Sequence, residues 1–227
     1  MIPDSLPFGA AIGEDGVWRQ VLTRVTGMNP RPALFLDRDG VIVEEVHYLH
    51  RVKDMTVMPG AADVIGRANR AGVPVIVVTN QAGIGRGTYG WTEFIAVQDA
   101  MLDELASGGA YVNAVFACPH HRDGVAPYNV ADHPARKPNP GMLLAAAELL
   151  PIAFAGSWLV GDRAGDIEAA KRTGCAGGVH VWCGHGSEPG ERDAAMMLRT
   201  DGFEVREAET IADAGGLIPL LNDETGE

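Results

Sequence analysis

The stretch ALFLDRDGVIV, residues 33–43, decides the fold of this chain. Residues 33–36 are apolar and predict a short buried strand. Asp37 and Asp39 follow at once, and a strand interior does not accept two unpartnered carboxylates because their desolvation is very costly. At the carboxyl end of a parallel strand, the same pair faces the crevice where ligands bind. The stretch therefore predicts an active site at the end of a core strand.

Composition restricts the class of protein. The chain has 227 residues, of which 46% are hydrophobic and 21% charged, as in a soluble globular protein with a substantial core. Its net charge of −12 argues against nucleic acid and anionic membranes as main partners. The three cysteines do not suggest a disulfide framework, and we find neither a signal peptide nor a membrane-spanning stretch. We expect a cytoplasmic monomer or small homo-oligomer that binds a small molecule.

Strand-like and helical patterns alternate along the chain. Apolar runs at residues 73–78, 111–117, 157–160, 178–182 and 203–205 predict strands, and they are separated by helical patterns. This alternation predicts an α/β fold with a doubly wound parallel sheet. Apolar residues between 16 and 25 share one helical face, which predicts one helix in an N-terminal extension of residues 1–30. That helix would pack on residues 31–227, a single domain, or form an oligomer contact.

Polar groups follow three of the predicted strands: Asp37 and Asp39, then Thr79, then Asp162 with Asp166. Lys137, preceded by an arginine, lies just before a helix. This set, in this order, resembles the haloacid dehalogenase (HAD) phosphatases, whose motifs are DxDG, a Ser or Thr, a Lys and GDxxxD. The resemblance covers about residues 32–186 and implies a HAD-like Rossmannoid fold. Only 40 residues separate the first two motifs, so we expect no cap domain and a site covered by loops 44–58, 83–90 and 118–139.

The resemblance also implies roles for the catalytic residues. Asp37 would attack phosphorus and form an aspartyl-phosphate, and Asp39 would act as general acid and then base. Thr79 and Lys137 would hold the transferring phosphoryl group. Asp166 would orient the ligands of a Mg²⁺ ion, a cation that favours oxygen ligands. The implied ligands are Asp37, Asp39 through its backbone carbonyl, and Asp162.

Four segments are similar to a narrower group, the D-glycero-D-manno-heptose 1,7-bisphosphate 7-phosphatases and related histidinol phosphatases: FLDRDGVIVEEVHYLH, VVTNQAGIGRG, CPHH and RKPNPGMLL. TNQAGIGRG and HYLH favour the heptose enzymes, although Arg163 stands where these tend to have Lys. Histidinol phosphate or another small phosphate is the alternative substrate, and a non-catalytic phosphometabolite-binding protein is the third reading. The implied substrate-binding residues are Glu45, Val46, His47, Tyr48, Asn80, Gln81, Ala82 and Arg136.

These families often carry a structural zinc ion in the loop that precedes Arg-Lys. Three of its ligands are in position here: Cys118, His120 and His133. Ala135 occupies the place of the fourth, and tetrahedral zinc needs four nitrogen or sulfur ligands. A zinc site would need His121 or Asp132 to complete it, and the alternative is a loop without metal.

Overall fold

The computed structural model describes residues 3, 5–23 and 29–222, and within them it confirms an α/β fold with a mostly parallel sheet. The strands are β1 (Ala10–Ile12), β2 (Trp18–Val21), β3 (Leu34–Leu36), β4 (Val75–Asn80), β5 (Ala114–Cys118), β6 (Trp158–Gly161), β7 (Gly177–Val181) and β8 (Glu204–Ala208). They form one sheet in the order β1-β2-β5-β4-β3-β6-β7-β8. The six strands from β5 to β8 in this order are parallel, and β2 pairs antiparallel with both β1 and β5.

Helices cover both faces of the sheet. In chain order they are α1 (Ala61–Arg70), α2 (Ala82–Gly85), α3 (Trp91–Ser107), α4 (Gly141–Leu149), α5 (Ala164–Thr173), α6 (Glu191–Met196) and α7 (Ile211–Ala214). Helices α1, α3 and α7 pack on one face, and α4, α5 and α6 pack on the other. Consecutive side chains of a strand point to opposite faces, so Leu34 and Leu36 join the first layer and Phe35 the second. The strand that carries the Asp pair is therefore buried on both sides.

The predicted N-terminal helix is wrong. Residues 18–21 form a strand in which Trp18 and Gln20 are buried while Arg19 and Val21 are half-buried, the period of two expected of a strand. The free edge of β5 supplies the hydrogen-bonding partner of β2. Because that partner is almost a hundred residues away, the periodicity of the local sequence does not reveal it. Residues 24–28, which include the end of the predicted helix, lie outside the described residues. The domain division at residue 30 stays a prediction, although β1 and β2 belong to the same sheet as the other strands.

The connections that leave the carboxyl ends of the strands contain no inserted domain. Between β3 and α1 the structure has a loop with one 3₁₀ turn, Val52–Asp54, and β5 is joined to α4 by an irregular loop. The site is therefore capless and loop-covered, as predicted. In the described part of the chain, no helix has the length and apolarity needed to cross a membrane.

Candidate active site

The carboxyl ends of β3, β4 and β6 open into a cleft of about 500 Å³. Parallel strands place these ends at one edge of the sheet, which is where ligands bind in such folds. Every residue that the sequence predicted for the site lines this cleft: Asp37, Asp39, Glu45, Val46, His47, Tyr48, Thr79, Asn80, Gln81, Ala82, Arg136, Lys137 and Asp162. The structure thus brings the predicted residues together, while their individual roles stay predictions.

Lys137 lies at the floor of the cleft with only 5% of its surface exposed. Its Nζ donates to the backbone oxygen of Val78 at 2.7 Å and lies 2.9 Å from Oδ1 of Asp37 and 2.7 Å from Oδ1 of Asp166. An ammonium group has three hydrogens, and these three acceptors use all of them. Burial opposes the charge, but the carboxylates of Asp166 and Asp37 outweigh it and raise the pKa of Lys137. The ammonium is therefore a fixed positive charge beside Asp37.

Asp37 is a buried carboxylate with the cation of Lys137 and other carboxylates close to it. Its Oδ1 accepts a hydrogen bond from the backbone N–H of Arg38 at 2.8 Å, in addition to the Lys137 contact. Burial raises the pKa of Asp37 to about 6; Lys137 opposes the rise, and the nearby carboxylates of Asp166 and Asp39 add to it. A carboxylate held at this cost is poorly solvated, which favours nucleophilic attack once the group is ionised.

Asp39 is held by a network of donors on the opposite wall. Arg38, which is 1% exposed, pairs with both of its oxygens at 2.9–3.3 Å. The amide of Gln81 donates to Asp39 at 2.9 Å and to the hydroxyl of Thr79 at 2.9 Å, and Tyr89 donates to Oε1 of Gln81 at 2.5 Å. These contacts fix the direction of the Asp39 carboxylate, as the proton transfer predicted for this residue would require.

The donor set beside Asp37 fits a divalent cation. Carboxylate oxygens of Asp37, Asp162 and Asp166 all lie within 4.8 Å of one another, and all three side chains are buried. A Cβ on Gly40 or on Gly184 would lie 2.4 Å from Oδ2 of Asp162, and both glycines have positive φ, 79° and 57°. Backbone therefore approaches this carboxylate more closely than a side chain would allow. Hard oxygen ligands of this kind suit Mg²⁺.

The raised pKa of Asp162 also fits a site for a divalent cation. Burial raises its pKa to about 9, with the charges of Asp37 and Asp166 adding to the rise and a hydrogen bond from the backbone N–H of His185 at 2.7 Å opposing it. Three carboxylates crowded around the single ammonium group of Lys137 favour a bound proton on one of them. A Mg²⁺ ion would relieve this repulsion and release that proton.

Three loops meet over the cleft, as the sequence predicted. Nη1 of Arg86 donates to the hydroxyl of Tyr48 at 2.6 Å, and Nη2 lies 3.3 Å from the ring nitrogens of His121 and 3.1 Å from Asp123. These contacts join loops 44–58, 83–90 and 118–139. Tyr48 has a φ of 58°, a left-handed conformation that a non-glycine residue adopts at some energetic cost and that is typical of functional sites.

Some predicted substrate-binding residues have other partners. The side-chain amide of Asn80 exchanges two 3.1 Å hydrogen bonds with the backbone of Lys137, and the amide of Gln81 is committed to Asp39 and Thr79. Both amides therefore hold residues that the sequence predicted to be catalytic. Glu45 faces the cleft, where burial and the charge of Asp39 raise its pKa to about 7.

Sequence reasoning missed several cleft residues, chiefly Tyr89, His185 and Glu191. Tyr89 belongs to a loop predicted to cover the site, but nothing in the sequence pairs it with Gln81. His185 and Glu191 follow β7, and the rule that strand ends face the ligand crevice would have pointed to this segment. Glu191 accepts a 2.7 Å hydrogen bond from the backbone N–H of Ala164 and lies 3.5 Å from Arg163.

The structure does not support the zinc site. Sγ of Cys118 and Nδ1 of His133 are 4.0 Å apart, but Nε2 of His120 is used in a 2.8 Å hydrogen bond to the backbone oxygen of Asp15. Among the described residues, the group of three or more metal-ligating side chains that converges is the aspartate cluster of Asp37, Asp162 and Asp166. Ala135 offers no ligand atom in place of the fourth residue.

A capless, mostly parallel sheet, with buried aspartates at the ends of β3 and β6 and a lysine between them, defines a HAD-like hydrolase. The sequence model described as HAD-hydrolase-like matches residues 134–197. A D-glycero-beta-D-manno-heptose-1,7-bisphosphate 7-phosphatase from Mesorhizobium japonicum is 40% identical over 208 residues, which cover 92% of this chain and 90% of that protein. The chain therefore belongs to the D-glycero-D-manno-heptose-1,7-bisphosphate 7-phosphatase family and is a phosphoric monoester hydrolase.

Solved structures agree with this assignment. A HAD-like phosphatase from Mesorhizobium loti is 37% identical with a TM-score of 0.82, and the match covers 96% of this chain and 100% of that one. A D,D-heptose 1,7-bisphosphate phosphatase from B. bronchiseptica, complexed with magnesium and phosphate, is 30% identical with a TM-score of 0.68. That match covers 82% of this chain and 97% of the other. The magnesium in the latter structure agrees with the fit of the aspartate cluster here.

Proposed function

We propose that this phosphatase removes the C7 phosphate of D-glycero-D-manno-heptose 1,7-bisphosphate and leaves the C1 phosphate in place. The observation that carries the proposal is the cluster of Asp37, Lys137, Asp162 and Asp166 at the floor of a cleft large enough for a sugar phosphate. The names of the relatives supply the substrate class.

We assign the two steps of the reaction to Asp37 and Asp39, as the family resemblance implies. A carboxylate oxygen of Asp37 attacks phosphorus, the bond between phosphorus and the C7 oxygen breaks, and Asp39 gives its proton to that oxygen. Water then attacks the aspartyl-phosphate and gives a proton to Asp39, so phosphate leaves and Asp37 is restored. Asp37, the Asp39 backbone carbonyl and Asp162 would hold Mg²⁺, which when bound would supply positive charge that offsets the charge of the phosphoryl oxygens.

We assign Lys137 and Thr79 to the phosphoryl group, Lys137 through its charge and Thr79 through its hydroxyl. Lys137 keeps its charge next to the attacking group, which compensates negative charge on the equatorial oxygens. The hydroxyl of Thr79 accepts a hydrogen bond from Gln81 at 2.9 Å, so its own hydrogen is available to a phosphoryl oxygen. Oγ1 of Thr79 lies 3.5 Å from Oδ2 of Asp39, a long contact that a phosphoryl oxygen could replace.

Arg136 is the residue we assign to recognition of the sugar phosphate beyond the reacting centre. It lines the cleft next to Lys137, and its guanidinium donates to the backbone oxygen of His120 at 2.8 Å. That bond leaves further N–H donors for a substrate oxygen. Glu45 and Tyr48, on the loop across the cleft, line the space for the sugar.

Parallel assays test this proposal. Phosphate release is measured with and without Mg²⁺ from the α and β anomers of the bisphosphate, because relatives are named for both, and from histidinol phosphate. We expect Mg²⁺-dependent release of one phosphate from a bisphosphate anomer, with an Arg136→Ala variant raising KM. A preference for histidinol phosphate would refute the substrate while keeping the reaction. We further propose that the enzyme acts in the cytoplasm on this small substrate, as a monomer or small homo-oligomer.

A further inference from the structure

The N-terminal hairpin reaches the active-site loop because of its register on the sheet. Trp18 of β2 pairs with Ala117 of β5 in an antiparallel ladder. In such a ladder each step back along one strand is a step forward along the other, so Asp15 in the β1–β2 turn comes to lie opposite His120. The tip of the hairpin is therefore aligned with the start of loop 118–139.

The tip makes a specific contact there. Nε2 of His120 donates to the backbone oxygen of Asp15 at 2.8 Å, and the imidazole is 5% exposed. Gly16, with a φ of 72°, lies so close to the loop that a Cβ would be 2.7 Å from the ring of Tyr128. The carboxylate of Asp15 accepts hydrogen bonds from the backbone of Val17 and the guanidinium of Arg19, which hold the turn in shape.

A second contact joins the hairpin to the same loop through the core. Trp18 stacks on Trp91 with ring centroids 5.6 Å apart, and Nε1 of Trp91 donates to the hydroxyl of Tyr128 at 3.1 Å. The ring of Tyr128 in turn meets the edge of His120 at 5.5 Å. The hairpin thus contacts His120 from its tip, and its strand is linked to Tyr128 through Trp91.

His120 also contacts residues beside the cleft. Its backbone oxygen accepts the 2.8 Å hydrogen bond from Nη1 of Arg136, and its ring stacks on His133 with centroids 3.8 Å apart and planes 2° from parallel. His133 accepts a hydrogen bond from the backbone N–H of Ala135 at 3.1 Å. Burial and the neighbouring His120 lower the pKa of His133. Both contacts end on the residues directly before Lys137.

We propose that His120 is a positioning residue for substrate binding, and that the β1–β2 hairpin acts through it to hold Arg136 toward the cleft. The hydrogen bond to Asp15 fixes the imidazole, and the fixed His120 backbone orients the guanidinium. This inference rests on the proposed function only in assigning Arg136 to the sugar phosphate. It makes the hairpin, whose Asp15 is 105 residues from His120 along the chain, a determinant of KM.

Four variants test the proposal. Gly16→Ala pushes the tip off Tyr128, and His120→Ala removes the donor to Asp15. His120→Gln restores a side-chain N–H of similar reach. Gly109→Ala is the control, since Gly109 also has a positive φ, 74°, but a Cβ there would meet nothing within 4 Å. It reproduces the backbone strain without touching the loop.

We measure kcat and KM for the bisphosphate and amide hydrogen exchange of peptides from loop 118–139. Gly16→Ala and His120→Ala are expected to raise KM about tenfold with kcat within about threefold, because a displaced binding group weakens recognition before it weakens chemistry. Exchange in the loop should rise in these two variants alone. His120→Gln should recover the KM and the exchange of the wild type.

Two results would overturn the inference: unchanged KM and exchange in His120→Ala, or an equal effect in Gly109→Ala. Failure of the proposed function shows up differently, as a wild-type enzyme that does not hydrolyse the bisphosphate. In that case the exchange measurement still decides whether the hairpin orders the loop.

Discussion

Replacing the nucleophile should inactivate the enzyme and also stabilise it. Asp37→Asn keeps the size of the side chain and an oxygen that can accept from Lys137 and from the Arg38 backbone, but it removes a buried charge. Turnover should fall by at least ~10³-fold, because an amide cannot form the acyl-phosphate. The stability effect is less obvious and follows from the electrostatics of the site.

The magnitude follows from the pKa of Asp37. A rise from 3.8 to about 6 means that the folded protein resists ionisation of this group. At about 1.36 kcal/mol per pKa unit, the ionised carboxylate costs the folded state about 3 kcal/mol. Because the folded-state pKa lies above the unfolded one, stability is lost as pH rises from about 4 to about 6 and stays lost above that. Asparagine avoids this cost at every pH.

Urea unfolding followed by tryptophan fluorescence measures the effect. In EDTA at pH 8, Asp37→Asn should be about 1–3 kcal/mol more stable than the wild type, and the difference should shrink to about half at pH 5. Mg²⁺ at about 1,000 times the wild-type Kd should reverse the order, since the wild type binds the ion more tightly and gains about 4.1 kcal/mol. A variant less stable than the wild type in EDTA at pH 8 would refute this account of the site.

Three further changes probe the same cluster. Mg²⁺ affinity should rise with pH between 6 and 8, because Asp162, with a pKa of about 9, must release its proton when the ion binds. Calorimetry in buffers of different ionisation enthalpy measures the number of protons released per ion bound. Gly40→Ala should weaken Mg²⁺ binding at least tenfold by displacing Asp162, while Gly109→Ala should leave the affinity unchanged. Equal affinities of the two variants would contradict the close approach of the Gly40 backbone to the Asp162 carboxylate. Lys137→Met should abolish turnover and lower the free energy of unfolding by about 3–5 kcal/mol, because Asp37 loses its cation; a fully stable variant would argue against the ion pair.

Much of the site could be predicted from the sequence because its residues sit at strand ends. An apolar run that stops at Asp37, and others that stop at Thr79 and before Asp162, specify which side chains reach the carboxyl edge of a parallel sheet. That edge is one place in space, so local patterns are enough to bring the residues together. Lys137 required the resemblance, since a lone lysine before a helix carries no such signal.

Contacts between segments that are far apart in the chain could not be predicted from the sequence. The same apolar spacing around Trp18 suits a helix or a strand, and the free edge of β5 made it a strand. The hydrogen bonds of Tyr89 with Gln81 and of Asn80 with the backbone of Lys137 depend on how the loops pack, which local sequence patterns do not show.

The sequence by itself thus determined the parallel strands and the acidic floor of the cleft, because alternation and strand ends are properties of neighbouring residues. The reaction class came from the family resemblance of the motifs at those strand ends. Tertiary structure alone decided the antiparallel hairpin, the contact of Asp15 with His120 and the raised pKa values of Asp37 and Asp162. Register and burial depend on which distant segments meet, and these set both the hydrogen bonds and the local dielectric.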